Sequence, residues 1–208
     1  MRVKRVRLDS ETRKEQVLDA TLQIIAESGV QGLNTSEIAR RVGIVPSALY
    51  RHFRDKEALI DSLLARTHRQ LAENVNRASS GEIGALRRLK QLFRLHVELL
   101  RRNPGIPKLV FSYEVAFSSQ KRREDLRSIV GAYAKRIEAI VQMGQDEGEI
   151  LGDVDSSVIA FAFVSLVQNV GITLSLTAGK IDRGVMACAA WEIFERGLKT
   201  SGQLNQEV

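Results

Sequence analysis

Reactive side chains are scarce in this chain. One cysteine among 208 residues, Cys188, leaves no internal disulfide and no thiolate cluster for a metal. Its expected role is that of a small buried apolar residue in a reducing compartment. Only three histidines occur, none beside a plausible nucleophile, and His96 has no second histidine or carboxylate at a ligand spacing. There is no GxSxG, no HExxH and no phosphate-binding loop, so the sequence predicts neither an enzyme nor a bound metal or cofactor. The first ten residues are basic but lack the apolar run of a signal peptide. The longest uncharged stretch, Val158 to Leu176, has the length of a membrane span. Gln168, Asn169 and Gly171 interrupt it and no basic flank precedes it. A helix buried on most sides is therefore expected, in a soluble, cytoplasmic protein with no membrane partner.

Apolar residues make up 44% of the chain, enough for a packed interior. The net charge of +6 is unevenly spread. Residues 1–56 hold 11 Lys/Arg against 7 Asp/Glu, whereas the remaining 152 residues hold 20 against 18. The excess points to a polyanionic partner at the N-terminal end. No run of alternating β-branched residues bounded by turns appears, and helical periodicity appears nearly everywhere. The expected fold is all-α, with about nine helices. Asp9 or Ser10 caps a first helix ending at Gly29. Thr35 caps a short helix, Ser36 to Val42, and Pro46 opens another that reaches about Phe53. Longer helices follow over about Lys56 to Ala78, Glu82 to Arg102, Gln120 to Gln145, Ser156 to Thr177 and Asp182 to Lys199. A short apolar piece, Lys108 to Phe117, follows the breaker Asn103-Pro104-Gly105-Ile106-Pro107. The predicted partition is a head over residues 1–55, a helical body over 56–200 and a frayed tail over 201–208.

The stretch TSEIARRVGIVPSALYRHFRDK, Thr35 to Lys56, carries the function. Two short helices crossing at an open angle need a small residue at the crossing, a turn residue free to take positive φ, and apolar wedges on both inner faces. Ala39, Gly43, and the set Ile38, Val42, Ile44 and Leu49 meet those needs, in the spacing of a helix-turn-helix. Ser47, Ala48 and Arg51 fall on the outward side of the second helix. Arg2, Lys4, Arg5 and Arg7 form a basic arm suited to an adjacent minor groove.

The run GIVPSALYRHFRDKEAL closely resembles the signature of the TetR/AcrR family of transcriptional regulators, with Leu49, Tyr50, His52, Phe53, Lys56, Glu57 and Leu59 in their usual places. Val45 stands where a serine cap is common, with Pro46 fixing φ in compensation. The resemblance implies a dimeric, sequence-specific repressor on double-stranded, palindromic DNA, with an N-terminal helix-turn-helix and a helical ligand-binding and dimerisation body. It implies phosphate contacts from Tyr50, His52 and Lys56, a backbone clamp at Thr35 and Ser36, base-side contacts from Ser47, Ala48 and Arg51, and a minor-groove contact from Arg5. His52 has a second reading, as a cap on the helix C-terminus, and Phe53 reads as core. An activator of the same fold, or a regulator controlled by a protein partner as in nucleoid-occlusion members, stays open.

A lone hairpin reads too few bases, and two of them about 34 Å apart require a dimer. Phe161, Val164, Ile172 and Leu174, with Cys188, Trp191 and Phe194, are the expected interface. The gap opened by Pro104 and Pro107 is the expected effector pocket. Its predicted lining is Phe93, His96, Val97, Leu100, Phe111, Tyr113, Phe117, Tyr133, Phe163 and Gln168. So uncharged a set suits a small apolar or amphipathic effector.

Overall fold

The first helix, α1 (Ser10–Ser28), begins where the Asp9 carboxylate accepts the Thr12 amide at 2.9 Å and its hydroxyl at 2.7 Å. It ends at Gly29, whose φ of 72° returns its own N–H to the Ile25 carbonyl. The computed structural model of the chain describes residues 9–81, 84–176 and 183–199. Then come α2 (Thr35–Val42), α3 (Pro46–Leu49) and α4 (Lys56–Ser79). The body holds α5 (Ala85–Arg102), α6 (Gly105–Val110), α7 (Tyr113–Phe117), α8 (Gln120–Asp146), α9 (Ser156–Leu176) and α10 (Arg183–Leu198). No strand occurs among the described residues.

Local chemistry moves several expected boundaries. Asn34, not Thr35, caps α2: its side-chain amide oxygen accepts the Ser36 N–H at 2.8 Å. The helix opened by Pro46 stops at Leu49 instead of near Phe53, and Tyr50 to Phe53 pass into a turn. Pro107 does not break structure. It sits in the first turn of α6, where a missing N–H removes no helical bond. The expected piece from Lys108 to Phe117 is two helices, parted at Phe111 and Ser112, where the Ser112 hydroxyl caps α7.

Head and body share one apolar interior. The buried set runs without a break from Val17, Ile25, Ile38 and Leu49 through Leu59 and Leu63 to Leu92, Ile137, Phe163 and Trp191. α1 lies on α6, α4 packs on α1, α5 and α8, and α9 is flanked by α5, α6, α8 and α10. By length and composition α9 would cross a membrane, but Ile159, Phe163, Val167 and Val170 turn one side of it into this core. Cys188 is exposed, contrary to the expectation of burial. Ala187 and Trp191, one turn apart, take the inward face of α10 and rotate Cys188 out.

Head and body approach each other closely at Gly105, buried under α1. A Cβ there would fall inside the contact radius of the Leu22 carbonyl oxygen, a backbone atom with no freedom to yield. Gly105→Ala is expected to cost about 1–3 kcal/mol. Chemical denaturation followed by circular dichroism checks this; a midpoint equal to that of the parent chain would contradict the close approach.

Candidate functional site

The head has the geometry of a helix-turn-helix. Ala39 is wholly buried where α2 meets α3, and Ile38, Leu49 and Phe53 are buried around it. Gly43 takes the left-handed conformation (φ 71°, ψ 36°), and the Ile44 amide bonds the Ala39 carbonyl at 2.9 Å. The Arg41 guanidinium ties α2 to α1, donating to Glu37 at 2.8 Å and to Glu27 at 2.6 Å. Hydrogen bonds from Arg40 and then Arg41 hold the Glu37 carboxyl down at about 2. Arg40, Arg41 and Arg54 are thus each matched by an acid.

Arg51 and Lys56 are different: both are exposed, and neither has a partner among the described residues. Ser47 is exposed, Tyr50 is 53% exposed and Ala48 is half-buried, so α3 presents its outer side to solvent. Lys56 stands at the N-terminus of α4, where Asp55 already caps the Ala58 amide at 2.7 Å. His52 is half-buried with its Nδ1 3.4 Å from the Ser10 hydroxyl, which braces the end of the hairpin against α1. Ser36 is exposed and Thr35 half-buried. The Ser36 amide is already bonded to Asn34, so only its hydroxyl is left for an outside partner. Arg5 and the rest of the basic arm lie outside the described residues.

In the body, Thr67 and Leu71 of α4, His96 and Leu100 of α5, Ile106, Pro107 and Val110 of α6 with Phe111 just after it, Ile129, Val130 and Tyr133 of α8, and Val164 and Gln168 of α9 line a cavity of about 60 Å³. Of the expected lining, His96, Leu100, Phe111, Tyr133 and Gln168 are brought together here. Phe93 and Phe163 are not: they form an aromatic cluster with Trp191 and Phe194, at centroid distances of 5.6 to 6.4 Å. Val97 faces the opposite groove, between α5 and α10. Tyr113 and Phe117 lie on the surface, stacked on each other at 4.3 Å, because the break at Ser112 swings α7 outward. No group of three His, Cys, Asp or Glu suited to a metal occurs among the described residues.

Two family models match this chain: "Bacterial regulatory proteins, tetR family" over residues 17–63 and "Tetracyclin repressor-like, C-terminal domain" over residues 83–172, together more than half of it. The chain belongs to the TetR family. Nucleoid occlusion factor SlmA of Aliivibrio fischeri is 25% identical over 158 residues, 75% of this chain and 80% of that protein. The fold is similar to that of FadR from Bacillus subtilis, solved in complex with stearoyl-CoA (TM-score 0.74, 22% identity, 88% of this chain and 98% of that one). It is also similar to AibR, solved in complex with isovaleryl coenzyme A and operator DNA (TM-score 0.72, 20% identity, 87% and 97%). At such identities the likeness to the two structures is one of fold.

Within this TetR-family frame, α4 is held on two sides by buried arginines that the sequence reading did not single out. Arg66 of α4, 6% exposed, donates to Glu15 at 2.9 Å and Asp19 at 2.7 Å on α1. Arg122 of α8, 5% exposed, donates to Glu57 and Asp61 on α4, each at 2.5 Å. Burial works against the Arg122 charge, and the hydrogen bonds to Asp61 and Glu57 overcome it, leaving its pKa above the ordinary value. The available signal was Arg66 itself, a charge at a core position between Leu63 and Thr67, with acid pairs four apart at 15/19 and 57/61.

On the far side, α9 and α10 expose an apolar stripe. Phe161 is 70%, Ile172 40%, Val158 56%, Val185 67% and Ile193 73% exposed. Val158 and Val185 were not anticipated. Val164 and Trp191 were expected on this face but point into the subunit core, since each follows the inward register of Ala160 and Ala187 by one turn. Phe194 is half-buried, and the Leu174 side chain lies outside the described residues.

Two titratable groups line the cavity, and burial favours the neutral form of each: it raises the Tyr133 phenol and lowers the His96 imidazole. Burial pulls the His96 imidazole down to about 4. Neutral His96 is therefore favoured by folding, and the stability this provides is complete above the unfolded value near 6.5 and is lost as pH falls from there towards 4. Between pH 7 and pH 4.5 the parent chain is expected to lose about 2 kcal/mol more than His96→Gln. Urea unfolding at pH 7 and pH 4.5 compares them; parallel losses would contradict a neutral, buried imidazole.

Proposed function

We propose that this TetR-family regulator acts as a dimeric repressor in the cytoplasm. It binds a palindromic DNA site through α3 and is released when a small apolar or amphipathic effector enters the body. The observation that carries the reading is the outward face of the hairpin. Ser47, Tyr50, Arg51 and Lys56 are solvent-facing, and the two cations are unmatched while their neighbours are paired. Small Ser47 and Ala48 let the start of α3 approach base edges closely. Tyr50 and Lys56 flank that approach at phosphate level, with the α4 N-terminus adding backbone dipoles. A planar guanidinium at Arg51 suits the two acceptors on a guanine edge. Likeness in fold to a regulator solved on operator DNA supports the same reading.

Two copies joined through the apolar stripe of α9 and α10 would place two α3 helices on one face of a duplex. Covering exposed Phe161 and Val158 supplies the driving force. The effector's route to DNA runs through α4. Thr67 and Leu71 of α4 line the cavity directly, and Tyr133 lines it from α8, whose Arg122 grips the start of α4. Moving a 99:1 population to its reverse takes about 5.5 kcal/mol of differential affinity. Control by a protein partner, the alternative that the family resemblance leaves open, makes no use of an apolar, uncharged cavity lining of the kind this body has.

Selection of bound sequences from a random duplex pool, then binding assays on the selected site, tests the proposal. Tyr50→Ala and Lys56→Ala should weaken all sites alike, and Lys56→Ala should flatten the log–log salt slope by about 0.9. Arg51→Ala should relax preference at one base pair, at a cost of about 1–3 kcal/mol on the preferred site. An unchanged ranking of sites in Arg51→Ala, or no enrichment at all, would contradict it.

A further inference from the structure

The cavity of about 60 Å³ is too small for an effector as it stands. Next to it is a second space, a surface cleft of about 450 Å³ between the end of α1 and α6–α7, lined by Val30, Gln31, Lys108, Ser112, Glu114 and Ile172 among others. Pro107 and Phe111 line both. Pro107 is fixed by its ring inside α6, but Phe111 is the first residue after that helix and 46% exposed, so it is the movable part of the partition. With the Phe111 ring turned away, the two spaces join into one of the size that small-molecule sites usually have.

The chemistry at the inner end restricts what can sit there. No Asp, Glu, Lys or Arg lines the cavity, and a carboxylate brought in would find no countercharge. His96 Nδ1 and the Tyr133 hydroxyl are hydrogen-bonded to each other at 2.8 Å. A neutral imidazole and a phenol bring two hydrogens to this pair, and their mutual bond uses one. Whichever tautomer is present, one N–H or O–H is left to donate. Among the described residues neither His96 nor Tyr133 has a second partner. In the outer cleft the Lys108 ammonium is bonded to the Ala26 carbonyl and Glu114 accepts from Gln31, so the rim has one charge of each sign and selects neither.

We propose that the effector is an uncharged molecule with an apolar body and a carbonyl oxygen, such as a ketone, ester or thioester, that enters past Phe111 and seats that oxygen on the His96–Tyr133 pair. This rests on the effector reading above but not on the DNA reading. Phe111 is the gate, and His96 and Tyr133 set specificity by leaving a donor unsatisfied unless an acceptor arrives.

Three ten-carbon probes test it on the full chain without DNA: 2-decanone, decanoate and decane, by calorimetric titration at pH 7.5. 2-Decanone is expected to bind at least about tenfold more tightly than decanoate, because the latter must bury an unpaired charge. Tyr133→Phe is expected to weaken 2-decanone by about 2- to 10-fold and leave decane unchanged. His96→Gln serves as the second variant if Tyr133→Phe does not fold. Phe111→Ala should speed association and Phe111→Trp should slow it, each severalfold in stopped flow. Decanoate binding as tightly as the ketone, no ketone binding, or Tyr133→Phe weakening decane equally would overturn the ligand class. Association rates indifferent to Phe111 would overturn the gate. Either failure, with site-specific DNA binding intact, leaves the operator reading standing.

Discussion

Two guanidinium groups lie almost out of water on opposite sides of α4, and the rest of the molecule is arranged around keeping them paired. Desolvating an arginine costs several kcal/mol, which pairing with a carboxylate offsets in part. Arg66 meets that cost with Glu15 and Asp19 of α1, and Arg122 of α8 meets it with Glu57 and Asp61 of α4. α4 therefore cannot slide along α8 or away from α1 without stranding a charge. The position of α4 is thereby tied to α1, on which α2 of the hairpin packs.

That constraint gives the shared core its functional sense. Had head and body been separate globules, a ligand in the body would have no purchase on the hairpin. Instead, Leu63 and Leu64 of α4 continue the interior of the head into the body, and Gly105 lets α6 pack directly on the α1 backbone. The cavity walls are the same elements: Thr67 and Leu71 on α4, Tyr133 on α8, Pro107 on α6. A volume change there presses on the two helices that the arginine pairs bind together. The matched charges around Arg41 hold α2 on α1, so the hairpin follows as one piece.

The hairpin was legible in the sequence because its determinants are local. Ala39, Gly43 and Pro46 act within one turn of where they stand, and the Tyr-x-His-Phe-x-x-Lys run is contiguous. What was not legible depends on contacts far apart in sequence. Arg122 reaches α4 across more than sixty residues, and nothing near it distinguishes it from Arg123 or Arg127 on the same helix. Aromatic residues of the body read alike as pocket, core or surface. Periodicity places Phe93 and Phe163 inward, yet only packing assigns them to the cluster around Trp191 and not to the cavity. Phe117 lies outside both spaces and Tyr113 lines only the outer cleft, because a single serine cap ended one helix and restarted another. The apolar excess on α9 was visible, but which side of it meets the core is a matter of rotation by one residue, as Val164 and Phe161 show.

The most direct test of α4 as the shared lever is a distance between the two hairpins of a dimer. Arg40→Cys in a Cys188→Ser background places one spin label on the exposed side of each hairpin, outside the proposed DNA contacts, and none elsewhere. Pulsed dipolar spectroscopy should then give a distribution centred near one DNA turn, about 34 Å, on the selected site. Arg122→Met, which breaks the grip of α8 on α4, should broaden and displace it. A distribution indifferent to Arg122→Met, or no dipolar signal between two labels, would contradict the account.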